Sequence, residues 1–270
     1  FLCMYRIVTD IGNTRTKIGL FKDNILIHKE IWLQWTAHDL ALFQRRHHAQ
    51  EVIFCSVAYT PPDLRTAFEP HVSLLELTHD TPLPFINHYR TPLTLGKDRL
   101  AAVAGAQALY DGTAVVVIDC GTCVKYEALT AAGVYLGGNI APGAFMRIKA
   151  MHHFTQRLPE VPLQLPDEPI GYSTETALQN GALLGMALEM AGFVRIFRQN
   201  MQAPSDAPPP DKSVSPLQVI LTGGDAALFT EILPDLLREE PVCVFHHEPD
   251  LTLYGLHHIL RFSDASPTGS

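Results

Sequence analysis

Residues 8–21 of this chain read VTDIGNTRTKIGLF, and residues 117–129 read VIDCGTCVKYEAL. Each is an apolar run that ends in Asp-x-Gly, passes through a Thr-bearing turn and enters a second strand-like run. The same unit at matching positions of two halves marks a duplication at domain scale, which leaves few folds open.

The flanking elements repeat as well. Residues 6–10, 16–21 and 25–31 read as three consecutive strands, with turns at Gly12-Asn13 and Asp23-Asn24. A helical pattern covers 36–50, and the continuous apolar run 51–57 reads as a buried parallel strand. Prolines open a short helix over 61–69, residues 72–77 form another strand, and 78–95 is loop. A helix with an Ala/Leu face starts near Asp98 and stops at Gly112. The pattern then restarts with strands over 114–119, 124–129 and 133–136. GGNIAPGAF leads into a helix ending near Phe154, and 174–200 is a long helix that reads as core or dimer contact. A strand over 217–221 precedes TGGD, which opens a helix running to about Arg238. A strand over 241–245 and a helix over 249–262 close the chain.

Three meandering strands followed by helix–strand units give an α/β fold, a mixed sheet with helices on its faces. Two lobes are expected, residues 1–112 and 113–262, with a cleft between them and a disordered tail over 263–270. The proline-dense segment 203–216 reads as a mobile surface loop.

Composition narrows the function. Hydrophobic residues make up 47% and charged residues 18%, as in soluble globular proteins. No apolar run is read as reaching the roughly 18 residues that span a membrane, and the N-terminus lacks a signal-peptide pattern. The net charge of −8 disfavours nucleic acid and anionic membranes as partners, so an anionic substrate must be held by local cations and backbone N–H groups. An odd count of five cysteines, in a chain too large to need disulfide staples, reads as a reducing, cytoplasmic setting. Cys120-x-x-Cys123 and four neighbouring histidine pairs are weak metal or redox signals.

The hairpins suit phosphate. Gly12 lets the backbone approach a ligand and present N–H groups, Asn13, Thr14 and Thr16 add small polar donors, and Lys17 adds charge. Asp10 at the end of a buried strand would repel bare phosphate, and makes sense if a hydrated Mg²⁺ lies between them. The second copy offers Asp119, Gly121 and Thr122. Facing each other, the two turns would hold a polyphosphate from both sides. Ordinary type I′ or II′ hairpins are the alternative. Gly223 and Gly224 in TGGD would let a nucleoside lie against the backbone, the alternative being a strand–helix turn with Asp225 as N-cap. GKDR offers Asp98 as a carboxylate base and Arg99 as a planar anion clamp, with Gly96 for close approach. Asp98 as a helix N-cap is the plain alternative. Arg147 and Lys149 read as a solvated basic face or the border of an anionic pocket.

The ordered set DIGNTRTK, GKDR, DCGTC, GGNIAPG, GYSTETALQNG, TGGD and PDLTLYGL resembles the type III pantothenate kinases, from about Arg6 to about Leu260. The resemblance implies a duplicated ribonuclease-H-like fold of the acetate and sugar kinase and actin superfamily, assembled as a homodimer with the pantothenate pocket near the subunit interface. It implies ATP-dependent phosphorylation of pantothenate to 4′-phosphopantothenate, the first step of coenzyme A synthesis. By motif position, Asp10 to Lys17 form the first phosphate loop, Asp98 is the base, and Tyr89, Gly96, Lys97, Arg99 and Thr174 line the pantothenate site. Asp119 matches a ligand of a monovalent cation, K⁺ or NH₄⁺, and Thr122 matches an ATP contact. Lys125 and Glu127 depart from the family, which usually shows Thr and Asp there. Lys125 either pairs with Glu127 on one strand face or intrudes on the phosphate or cation site. The alternatives in function are another small-molecule kinase on the same scaffold, or a non-catalytic ATP-binding accessory factor for transcription.

Overall fold

A computed structural model of the protein describes residues 4–201, 216–239 and 243–265. The chain divides into two compact units. One runs to Asp111 and resumes from Asp250; the other spans Gly112–Pro249.

In the first unit, β1 (Tyr5–Ile11), β2 (Thr16–Lys22), β3 (Ile25–Trp32), β4 (Glu51–Ser56) and β5 (Ser73–Glu76) form a sheet in the order β3-β2-β1-β4-β5. The β1–β2 and β2–β3 pairs are antiparallel, while β1–β4 and β4–β5 are parallel. Asp23, at φ 55°, takes the left-handed conformation that a tight β2–β3 turn demands. Helix α1 (Ala37–His47) begins at a Thr36/Asp39 capping box and ends at His48 in the left-handed region. Its Leu40 and Phe43 pack on Ile7, Ile11, Ile18, Leu20, Val52 and Phe54. The two-residue period of a strand therefore sends Val8, Asp10 and Cys55 to the opposite face. There the last helix, α6 (Leu251–Ala265), stacks His257 on Phe21 and sets Thr252 against Asp10. A two-residue strand, β6 (Ile86–Asn87), and helix α2 (Lys97–Leu109), which packs on α6, complete this unit.

The second unit repeats the plan. Strands β7 (Val115–Cys120), β8 (Cys123–Leu129), β9 (Val134–Pro142), β10 (Leu217–Thr222) and β11 (Cys243–His247) run in the order β11-β10-β7-β8-β9. The first three are antiparallel, and β10 is parallel to both β7 and β11. Asp10 and Asp119 are each the penultimate residue of the equivalent strand. Helix α3 (Ala144–His153) follows β9, and the 28-residue helix α4 (Thr174–Met201) packs Leu183, Met186, Ala187 and Met190 onto Val116, Ile118 and Tyr126. Helix α4 is long and apolar enough to cross a membrane by length and composition alone.

Several expectations change. Residues 250–265 belong to the first unit rather than the second, because Leu251, Leu253, Leu256, Ile259 and Leu260 need burial and cover the sheet face that α1 leaves open. Ser263–Ala265 are helical rather than tail, and 266–270 lie outside the described residues. So does the expected mobile loop, except for Pro216, and so do residues 241 and 242 of the expected last strand. Residues 61–69 form isolated turns instead of a helix. TGGD leads only to a 3₁₀ turn (Ala226–Phe229) and a single short helix, α5 (Ile232–Leu236). Strand β9 runs beyond the expected 133–136, because GGNIAP continues as strand through a positive-φ Gly137.

His257 carries a pH prediction. Burial against Phe21, with Arg6, Arg261 and His258 nearby, pushes its imidazole down to about 4 from an ordinary 6.5. The unfolded chain therefore takes up a proton at a higher pH than the folded one does. Stability held above pH 6.5 is lost as pH falls from there towards 4, by about 3 kcal/mol from this group. Urea midpoints measured across that window should fall with acidification, and His257→Phe should flatten the slope. An unchanged slope in the variant would assign the acid sensitivity elsewhere.

Candidate active site

The chemistry of the first unit gathers at the end of β1. Strand pairing sets Asp10 directly across from Lys17 and Ile11 across from Thr16. The turn between them is closed by Gly12 N–H donating to the Arg15 carbonyl at 3.1 Å. No residue from Gly12 to Arg15 has positive φ, so this is not a type I′ or II′ hairpin. Asn13 and Thr14 are exposed at its tip and Gly12 is half-buried. Thr16 is buried, and Trp35 Nε1 donates to its hydroxyl at 2.9 Å. Its side chain is thus built into the foot of the hairpin rather than offered by the turn.

Asp10 is half-buried and accepts two hydrogen bonds, from the Cys55 thiol at 3.4 Å and from the Thr252 hydroxyl at 3.1 Å. Desolvation raises its pKa, Lys17 opposes that, and the negative charge of Asp98 adds to the rise. Asp98 and Asp10 thus lie within electrostatic reach of one another in the same unit. Thr252 and Cys55 are neighbours of Asp10 that residue spacing does not reveal. The only signal for Thr252 was its place in PDLTLYGL, 242 residues from Asp10.

Asp98 sits in the first turn of α2, whose N-cap is Gly96. The N-cap alternative for Asp98 is therefore excluded, and its carboxylate is half-buried near the positive end of the helix dipole. Arg99 N–H donates to Asp98 Oδ1 at 2.9 Å. A Cβ on residue 96 would come within 2.5 Å of that same oxygen, so only glycine leaves the carboxylate its position. Arg99 is 4% exposed and lays its guanidinium 5.3 Å from the centre of the Tyr89 ring. Lys97 reaches Glu76 at 3.5 Å. Tyr89, Gly96, Lys97, Asp98 and Arg99 thus cluster around the start of α2.

The second unit gathers Asp119, the Gly121-Thr122 turn and TGGD. Gly121 N–H donates to the Cys123 carbonyl at 3.1 Å, again without positive φ in the turn. Gly223, at φ 93°, packs against Cys120 and Asp119; a Cβ there would meet Asp119 Oδ1 at 2.5 Å. Asp225 N–H donates to the Cys120 carbonyl at 3.0 Å, and its side chain caps nothing. Thr122 and Gly224 are exposed. Lys125 lies across from Asp119 on the paired strand, with Nζ 2.6 Å from Oδ2. Glu127, two residues on, accepts from the buried Tyr135 hydroxyl at 2.6 Å. Thr174 is exposed at the start of α4.

Other candidates are spoken for. Arg147 is half-buried and donates to both oxygens of Glu189 at 2.9 Å, so it is not part of a solvated basic face, whereas Lys149 is exposed, with Nζ 4.6 Å from the Phe145 ring. Burial pushes the Cys120 thiol well up, which keeps it protonated and unsuited to a thiolate role. No disulfide joins the four described cysteines, and no group of three or more His, Cys, Asp or Glu among the described residues could hold a metal ion.

The family model described as type III pantothenate kinase matches residues 6–196. This chain belongs to the type III pantothenate kinase family. A type III pantothenate kinase from Phocaeicola vulgatus is 36% identical over 259 residues, covering 96% of this chain and 98% of that protein. Among solved structures, a candidate Baf family transcriptional activator from Campylobacter jejuni superposes with a TM-score of 0.55 at 19% identity, over 96% of this chain and all of that one. A candidate N-acetylmannosamine kinase from Listeria monocytogenes superposes at 0.53 and 10% identity, over 96% and 99% of the two chains. These likenesses establish the fold of this type III pantothenate kinase family member, an α/β architecture with mixed sheets flanked by helices, shared with sugar kinases.

Proposed function

We propose that this chain transfers the γ-phosphoryl group of ATP to the primary hydroxyl of pantothenate, giving 4′-phosphopantothenate and ADP, with Asp98 as the base. Family membership across nearly the whole chain supports the substrates. The observation that carries the residue roles is Asp98 in the first turn of α2, within electrostatic reach of Asp10 and beside the buried Arg99.

The chain's own groups divide the work. The N–H groups and side chains of Gly12, Asn13 and Thr14 hold phosphate oxygens at one turn, and Gly121 and Thr122 do so at the other. Gly223 and Gly224 leave room for the nucleoside. Arg99 and Lys97, with Tyr89 and Thr174, hold the anionic acceptor, and the Tyr89 ring keeps the Arg99 fork oriented. Asp98 accepts the hydroxyl proton as the new O–P bond forms and the bond to the ADP oxygen breaks.

Mg²⁺ fits at Asp10 through water. Its two oxygens use one acceptor position each on Cys55 and Thr252, which leaves lone pairs for a hydrated ion, and a cation there would relieve the desolvated charge. When bound, Mg²⁺ neutralises charge on the transferring phosphates. A potassium ion at Asp119, as the resemblance implies, does not fit, because the Lys125 ammonium holds that carboxylate.

Homodimerisation is part of the reading. Phe154 and Tyr172 of the second unit are 82% and 78% exposed, the kind of aromatic surface that a subunit interface covers. Light scattering at micromolar concentration should return twice the chain mass of 29.9 kDa.

The test is ADP release with Mg·ATP and a panel of alcohols. Pantothenate should be preferred over sugars and simple carboxylates by orders of magnitude in kcat/KM. Preference for a sugar would place the chain among the other small-molecule kinases. Tight ATP binding without ADP release for any acceptor would make it a non-catalytic nucleotide-binding protein.

A further inference from the structure

We propose that the Lys125 ammonium takes the place of the monovalent cation at Asp119, so that this kinase turns over without potassium or ammonium ions. The inference rests on the kinase reading above, and goes beyond it by assigning a tethered cation to the second phosphate turn.

The argument starts from strand register. In the β7–β8 pair Asp119 stands directly opposite Lys125, so both side chains leave the sheet on one face. Nζ lies 2.6 Å from Asp119 Oδ2, with the two side chains only 19% and 17% exposed. The other oxygen, Oδ1, faces the Gly223 turn closely enough to exclude a Cβ there. One carboxylate oxygen is therefore held by an ammonium, and the other is hemmed in by backbone. The next side chain on that face, Glu127, is 1% exposed and anchored by the Tyr135 hydroxyl. An alkali ion at Asp119 would have to enter beside a positive charge already in contact with the same carboxylate, and the two would repel.

The chemistry of the substitution is close. A lysine head is a compact, strongly hydrated point charge with three donors, in effect an alkylated ammonium ion. Carried on the strand, it is present at a high effective concentration whatever the salt. The first hairpin repeats the arrangement, with Lys17 opposite Asp10 in the equivalent strand pair. Each phosphate turn of this chain thus carries its own Asp–Lys rung.

Two measurements on the full-length protein decide the matter: ADP release with pantothenate, and affinity for a non-hydrolysable Mg·ATP analogue. Both are taken in chloride salts of potassium, ammonium, sodium and choline at equal ionic strength. Wild-type turnover and affinity should agree within about twofold across the four salts. Lys125→Thr, which restores the residue usual in the family, should fall at least tenfold in choline and sodium and recover in potassium or ammonium. A wild-type protein activated tenfold or more by potassium overturns the inference and leaves the kinase reading standing. A Lys125→Thr variant as indifferent to salt as the wild type also overturns it. If no salt supports ADP release, the kinase reading falls, and the analogue affinities alone decide the inference by the same criteria.

Discussion

Asp98→Asn is expected to lower kcat for pantothenate phosphorylation by about 10²- to 10⁴-fold while leaving ATP-analogue affinity within a few-fold of wild type. The substitution keeps volume and the acceptor oxygen for the Arg99 N–H, which now bonds Asp98 Oδ1 at 2.9 Å, so α2 should keep its first turn. What it removes is the ability to take a proton from the acceptor hydroxyl. Because Gly96, not Asp98, is the N-cap of α2, no large loss of helix stability should accompany it. Thermal melts and analogue titrations run beside the ADP-release assay separate the two effects. Turnover within threefold of wild type would remove Asp98 from the role of base. A matching loss of analogue affinity would reassign it to nucleotide binding.

The second large effect is expected at Asp10. Asp10→Asn should cut kcat/KM for Mg·ATP by about 10²-fold or more, since it deletes the one carboxylate placed at the first phosphate turn. The folded protein should not suffer. Desolvation raises the Asp10 pKa, so folded protein holds that proton more tightly than unfolded chain does. The ionised carboxylate is accordingly a liability that grows as pH climbs from the ordinary carboxylate range through the raised folded-state value. The neutral variant should unfold at the same temperature or higher at pH 7, and its stability should depend less on pH over the acidic range. An Asn side chain can still accept from the Cys55 thiol and donate to the Thr252 hydroxyl, so neither neighbour is orphaned. A variant with unaltered metal and ATP titrations would show that the first turn does not serve the nucleotide. A cooperative loss of stability would show instead that the carboxylate is structural.

Reading along the chain works best where one physical period dominates. The apolar runs of β1, β4 and β7 and the strand-like runs of β2 and β8 placed those strands within a residue or two of their observed bounds. It works worst where Gly and Pro interrupt. The strand signal of β9 stops at GGNIAP although the strand does not, and the prolines after residue 60 suggest a helix where only turns form. In the site, Asp10, Asp98, Asp119 and the glycine turns are recognisable because small, acidic and flexible residues fall at strand and helix ends. Thr252 and Cys55 are not, since a hydroxyl and a thiol on apolar elements look like any other core positions. Neither is Trp35, whose indole N–H occupies the Thr16 hydroxyl.

The order of residues alone determined that this chain is duplicated, that each half opens with an acidic, glycine-tipped hairpin, and that its motifs are those of a pantothenate kinase. The first two are properties of local period and spacing, which the backbone enforces without reference to distant partners; the third is a resemblance carried by the motif residues themselves. Tertiary structure alone decided which unit takes the last helix, what hydrogen-bonds Asp10, and that Lys125 meets Asp119. Those outcomes depend on which side chains share a face after strands pair and helices pack. Pairing β7 with β8 brings Asp119 opposite the lysine, and the charge at the second hairpin turn follows from that register.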